Sequence, residues 1–204
     1  MSAPIYLGGW RVDLVVRDGV RSSVSRIVLA RAVAAALALV AAPSPASVGL
    51  ILSNDAELAS LNARHMGKEG PTDVLSFPLL PPEAFAPGAP TPDVPRPPRS
   101  RLHLGDIIVS VERATEQAAA GRGGQTGDVR GSAAHELRLL VTHGALHLCG
   151  HDHADPAEEQ AMRALERLLL DAGPGQAVVI GRPSSSRSGG RTTRIARSSL
   201  TSAS

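Results

Sequence analysis

The segment that most constrains this chain is His143-Gly-Ala-Leu-His147-Leu-Cys-Gly150-His-Asp-His153, three histidines arranged around a glycine. On a helix, residues four apart stand one above the other on one face, so His143 and His147 can aim both imidazoles at one point. Gly150 is free to adopt the left-handed conformation that ends a helix, and a chain doubling back there carries His153 round to the same point. The spacing predicts a long helix, a sharp turn, and a metal site made of His143, His147 and His153 at the helix end. Three neutral imidazoles leave one position open for water, which is the arrangement of a catalytic rather than a structural site. Such ligands suit Zn2+, one ion per chain, although other divalent ions accept them too.

The same spacing matches the metzincin protease pattern H-E-x-x-H-x-x-G-x-x-H except at one place: position 144 is glycine where those proteases carry the glutamate that acts as general base. A glycine cannot move a proton, which argues against peptide hydrolysis by that route. The residues around the ligands read less sharply. Asp152 is a candidate to orient a ligand imidazole, or else stabilises the turn. His151 reads as an exposed loop residue. His135 lies roughly 12 Å upstream of His143 by helical rise, out of reach of the site. Cys149 reads as a small buried hydrophobe rather than a ligand.

Hydrophobic residues make up 43% of the 204 and aromatics only 2%, so Ala, Leu and Val must fill the core. With Cys149 the single cysteine, no disulfide can form within the chain. Five of the 21 basic residues (Arg182, Arg187, Arg191, Arg194 and Arg197) follow Asp171, where no acid remains. Residues 1–171 thus hold 16 basic against 19 acidic residues, a net of −3, and the positive balance of the whole chain lives in its tail. That tail, residues 172–204, is rich in Ser, Gly and Arg and too poor in apolar residues to pack; it is expected to be disordered, the alternative being a nonspecific phosphate tether. The apolar stretch Val24–Ala42 includes Arg26 and Arg31, so a buried helix explains it better than a membrane span. Without a recognisable leader, the expected location is cytoplasmic.

Along residues 1–171, strands are predicted at Arg11–Val16, Val48–Leu52, Thr72–Phe77 and Leu104–Ser110. Helices are predicted over Val24–Ala42, from a cap at Asn54 with Glu57 in capping-box position, over Glu112–Ala120, from Asp128 to Leu148, and from a cap at Asp155 with Pro156 in its first turn. Leu165, Leu168 and Leu169 are expected to give the last helix its apolar face. Pro78 to Pro98 hold nine of the 16 prolines, so residues 79–100 are expected to form an extended surface insertion. Strands and helices mix without strict alternation, which predicts one α+β domain, a mixed β-sheet covered by helices.

Three segments in order resemble the YbeY family, bacterial endoribonucleases of rRNA maturation. They are Pro71-Thr-Asp-Val-Leu-Ser-Phe-Pro78, Leu104-Gly-Asp-Ile-Ile-Val-Ser110 and His143–His153. The resemblance runs from about Val12 to Asp171. It implies a zinc-dependent, single-strand-specific endoribonuclease acting on rRNA in small-subunit assembly intermediates, with the metal on His143, His147 and His153. It leaves the nucleophile open between metal-activated water and the RNA's own 2′-hydroxyl, and assigns no general base. The chain departs from the pattern at His151, where the family commonly has tyrosine. It departs again at His65 and Met66, where many members carry an aromatic–arginine pair. Arg64 and Lys68 are the cations left near that position, and Arg64 reads as a solvated surface charge. Thr72, Ser76 and Phe77 are candidates to line the site, with Phe77 expected in the core instead. Two other readings stand behind the nuclease: a non-catalytic zinc-containing ribosome-assembly factor, then a metalloprotease.

Overall fold

The computed structural model describes residues 3–86, 88–90, 92–95, 97–98, 100–121, 132–152 and 155–172. The strands are β1 (Ile5–Leu7), β2 (Trp10–Val16), β3 (Ala46–Ser53), β4 (Val74–Pro78) and β5 (Leu102–Ser110). They form one mixed sheet in the order β1-β2-β3-β5-β4, with β2, β3 and β5 parallel and the two edge strands antiparallel to their neighbours. The helices are α1 (Arg26–Leu39), α2 (Asp55–Met66), α3 (Val111–Ala119), α4 (Ala133–Leu148) and α5 (Pro156–Asp171). The expected α+β class holds.

The period-two rhythm of the strands sorts their side chains. Val12 and Leu14, Val48, Leu50 and Leu52, and Leu104, Ile107 and Val109 are buried in one cluster with Leu29, Val33 and Leu37 of α1 and Leu137, Leu140 and Val141 of α4. Each of these larger aliphatics contributes on the order of 2 kcal/mol by leaving water. Small residues such as Ala30, Ala36 and Ala145 are buried among them, and Phe85 is the aromatic member of the buried cluster. Leu104 and Ile107 share a face despite their odd spacing because β5 carries an extra residue: Ser47 pairs with His103 but Val48 with Gly105. Gly105 sits at φ +138°, and a Cβ there would lie 2.2 Å from the carbonyl oxygen of Phe77. The opposite face of the sheet is covered at its β4–β5 end by α2, where Leu58, Leu75 and Ile108 are buried apart from the main cluster.

Several sequence expectations shift. β1, three residues long, carries too short a pattern to be read from sequence. α4 begins at Ala133, capped by Ser132, whose hydroxyl accepts from the His135 amide at 3.2 Å; Asp128, the expected opening residue, lies outside the described residues. Asn54 caps α2 as expected, accepting from the Glu57 amide at 3.0 Å, but the Glu57 carboxylate is turned to the Arg17 guanidinium at 2.8 Å and to the Ser53 hydroxyl. The guanidinium beside it pulls the Glu57 carboxyl below its ordinary value, and burial pushes the other way. The proline-rich stretch is not wholly a surface excursion. Pro82–Phe85 form a 3-10 turn, and Leu80 and Phe85 are buried in the core, because apolar side chains among prolines still gain by leaving water. On α5, Leu169 is buried but Leu168 is 45% exposed, one step round the helix from the core. Residues 173–204, including the arginine-bearing tail, lie outside the described residues.

Candidate metal centre

α4 presents the histidine pair, and two contacts fix how it lies on the sheet. Its sheet side runs over β4 and β5 through Gly144, where an added Cβ would lie 2.6 Å from Ile107 Cγ2 and 2.9 Å from Val74 Cγ2. Ser76 of β4 donates its hydroxyl to the Gly144 carbonyl at 2.8 Å. The helix is thus drawn onto the sheet more closely than any side chain at 144 would allow.

The C-terminal end closes as a Schellman turn. Gly150, at φ +83°, donates to the His147 carbonyl at 2.9 Å, and His151 donates to the Leu146 carbonyl at 3.1 Å. Pro82 of the proline-rich stretch packs against Gly150, where a Cβ would meet the proline ring at 2.8 Å. The turn predicted from sequence is present up to Asp152; His153, the expected third ligand, lies outside the described residues.

His143 and His147 converge as their spacing predicts. Their Nε2 atoms are 3.0 Å apart, with ring centroids at 4.5 Å and planes inclined by 81°. His143 is buried, and its other nitrogen, Nδ1, stands 2.6 Å from Oε1 of Glu166, itself buried on α5. The Nε2 of His143 is turned to the point that His147 Nε2 also faces, and it carries a lone pair there when Nδ1 holds the ring's proton. Two nitrogens bound to one tetrahedral zinc at 2.0–2.1 Å lie about 3.3 Å apart, so this donor pair fits a zinc-sized ion. Among the described residues no third His, Cys, Asp or Glu joins the pair.

The remaining candidates are placed clearly. Asp152 is exposed at the turn, and the carboxylate that stands against the His143 imidazole is that of Glu166. Sequence reading missed Glu166, although a signal existed. Glu166 lies within the apolar stripe Met162, Leu165, Leu169 of α5, where a charge is costly unless it is paired. His151 is half-buried rather than exposed, and burial pulls its pKa down. Cys149 is buried and burial pushes its thiol up to about 12, which favours the small-hydrophobe reading over a thiolate ligand. His135 lies in the first turn of α4, two turns from His143.

Phe77 is not in the core. Val74 and Ser76 face α4, so alternation sends Leu75 and Phe77 to the opposite face, where the half-buried Phe77 ring meets His65 edge-on at 5.1 Å. Of the three residues expected to line the site, Ser76 is the one bonded to α4, whereas Thr72 is hydrogen-bonded to Asp73 at 3.3 Å. Arg64 folds back on its own helix, bonding the Ser60 hydroxyl at 3.1 Å, and Lys68 and Met66 are exposed.

A mixed α+β sheet bearing a helix-mounted imidazole pair, with a buried carboxylate behind one ring, defines the class: an α+β domain with a histidine pair at a helix end. The comparison with known families is specific. The family model described as endoribonuclease YbeY matches residues 19–173, and this chain belongs to that family. The endoribonuclease YbeY of Chelativorans sp. is 37% identical over 179 residues, covering 88% of this chain and 89% of the relative. That of Mycolicibacterium smegmatis is 44% identical over 127 residues, which is 62% of this chain. The match spans 63% of that relative's own length. A protein of Thermotoga maritima, solved in solution, aligns over 78% of this chain and 87% of its own at 21% identity, with a TM-score of 0.47.

Proposed function

We propose that this chain is a metal-dependent endoribonuclease, holding Zn2+ on His143, His147 and His153 and cutting single-stranded rRNA during ribosome assembly in the cytoplasm. The observation that carries the reading is the meeting of His143 and His147 at their Nε2 atoms, 3.0 Å apart, with the far side of His143 held by a carboxylate. The relatives bear the name endoribonuclease, which supports RNA as the substrate. Among the described residues no helix is long and apolar enough to cross a membrane.

When bound, a zinc ion here supplies Lewis-acid polarisation and activates water near neutral pH. The chain's own part is to present two imidazole lone pairs at one point, hold the His143 Nδ1–H in a hydrogen bond to the Glu166 carboxylate, and exclude a side chain at position 144. That exclusion disfavours the protease reading, because the glutamate it requires has no room. It also leaves the nucleophile with water or with the RNA's 2′-hydroxyl. Product ends bear on the choice: a 2′,3′-cyclic phosphate reports attack by the 2′-hydroxyl, whereas a 5′-phosphate with a 3′-hydroxyl reports attack by water.

The test pairs metal analysis with cleavage of single-stranded RNA, for the wild type and His147→Ala. The expected result is about one zinc per chain and RNA cleavage in the wild type, with both lost in the variant. A wild type that holds zinc yet leaves RNA intact across divalent ions would overturn the nuclease in favour of a non-catalytic assembly factor.

A further inference from the structure

Glu166 occupies a position where an aliphatic residue would be expected. Met162 and Leu169, one turn to either side of it on α5, are buried in the main core, and Glu166 itself is 1% exposed. One of its oxygens, Oε2, is buried without a hydrogen-bond partner among the described residues. The other meets His143 Nδ1 at 2.6 Å. A carboxyl group taken out of water for one contact is costly, and an apolar residue of like volume would pack there without that cost.

The hydrogen bond has two senses with opposite consequences. If the carboxylate accepts from Nδ1–H, the Nε2 of His143 carries a lone pair towards His147. If instead the carboxyl group donates to Nδ1, Nε2 carries the proton and cannot bind a metal. In that second sense the Nε2–H of His143 would donate to His147 Nε2 across the same 3.0 Å, so only the first sense lets both Nε2 atoms serve one ion. A carboxylate acceptor also raises the basicity of the ligand ring. The ring is held from both sides: its helix is pressed to the sheet at Gly144, and its outer nitrogen is bonded to α5.

We propose that Glu166 is a positioning residue that fixes His143 in the Nδ1–H tautomer and tightens divalent-metal binding at the histidine site. This rests on the metal reading above, and the experiment separates the two. The full chain is prepared free of metal as wild type, Glu166→Gln and Glu166→Ala, with folding checked by circular dichroism. Nitrogen-15 imidazole spectra then report the tautomer of His143 at a pH where the ring is neutral. Zinc affinity is measured by competition with a chromophoric chelator.

The expected wild-type spectrum is that of the Nδ1–H form. Glu166→Gln keeps an acceptor oxygen and retains the tautomer, but binds zinc about 10-fold more weakly; Glu166→Ala loses the tautomer bias and about 100-fold in affinity. An Nε2–H ring in the metal-free wild type overturns the assignment. So does a folded Glu166→Gln variant that binds zinc as tightly as wild type. Should Glu166→Ala not fold, Glu166→Gln still decides. If the wild type itself takes up no zinc, the metal reading falls, and the metal-free tautomers still decide whether Glu166 orients the ring.

Discussion

Gly144→Ala is the sharpest test of how the histidine-bearing helix is seated. Apolar carbons in ordinary contact stand about 3.5–4.0 Å apart. The new methyl would sit 2.6 Å from Ile107 Cγ2 and 2.9 Å from Val74 Cγ2, both on well-paired strands. Ile107 is fully buried, so neither it nor the helix can yield without moving packed neighbours. Overpacking of this kind costs about 1–3 kcal/mol, and the close approach places this site at the upper end. Loosening the Ser76–Gly144 hydrogen bond adds about 1 kcal/mol, and the better helix propensity of alanine returns about the same. The net expectation is a loss of about 2–3 kcal/mol, or a fall in Tm of about 5–10 °C for a domain of this size. Urea denaturation with an unchanged m-value is the direct assay. A double-mutant cycle with Ile107→Ala adds the decisive control. Alone that change costs about 2–5 kcal/mol, yet it removes the atom nearest the new methyl. The two losses should therefore sum to more than the double variant shows, by about 1 kcal/mol or more. A Gly144→Ala protein as stable as wild type, or strict additivity, would refute the close-packing argument.

Other expectations follow from the same contacts. Gly105→Ala combines a left-handed φ of +138° with a methyl 2.2 Å from the Phe77 carbonyl oxygen, and should cost about 3 kcal/mol or more, read as a shift in the urea midpoint. Asp155→Ala removes the side chain that accepts from the amides of Ala157 and Glu158 at 2.8 and 3.0 Å, and should cost about 1 kcal/mol in a thermal melt. His103 is raised above its ordinary 6.5, first by its hydrogen bond to Asp106, with Asp13 and Ser47 adding to it and burial opposing. The raised group stabilises the fold fully below pH 6.5 and loses that contribution as pH climbs through its folded value. Asp106→Asn should therefore destabilise the protein in mildly acidic buffer, by under about 1 kcal/mol because the pair is part-exposed, and not above the raised value. Equal destabilisation at both ends of the pH range would rule this out.

Much of this architecture was legible because its signals are local. Asn54, Asp155 and Gly150 each satisfy backbone groups within a few residues, so the ends of α2, α5 and α4 could be placed from short stretches. The His143–His147 convergence is likewise a property of helical pitch alone. What could not be read depends on contacts distant in sequence. Phe77 was expected in the core, but its side of the sheet is set by the pairing of β4 with β5 and by which face α4 covers. Leu80 and Phe85 looked like parts of a surface excursion because proline content masks the few apolar anchors within it. Glu166 pairs with a histidine 23 residues away, so nothing near it in the sequence supplies its partner. An acidic residue inside an apolar stripe was the available clue, and it marks a buried charge with a role before that role is known.

The departure from the protease pattern at position 144 has a steric cause as well as a chemical meaning. A three-histidine helix-and-turn motif with glutamate at the second position needs the carboxylate to project beside the metal from a helix with free space there. Here the residue after His143 faces Ile107 and Val74, and even one carbon at that position collides with both. Installing the glutamate would thus require α4 to lift from β4 and β5, breaking the Ser76 bond and pulling His143 away from Glu166 on α5. The absence of a base at 144 is therefore a consequence of how the helix is seated, and a single substitution could not convert this site to the protease arrangement. The seating that forbids that base also holds the imidazole against its carboxylate. Any chemistry at this centre must take its proton acceptor from elsewhere, either another group of the protein or the substrate itself.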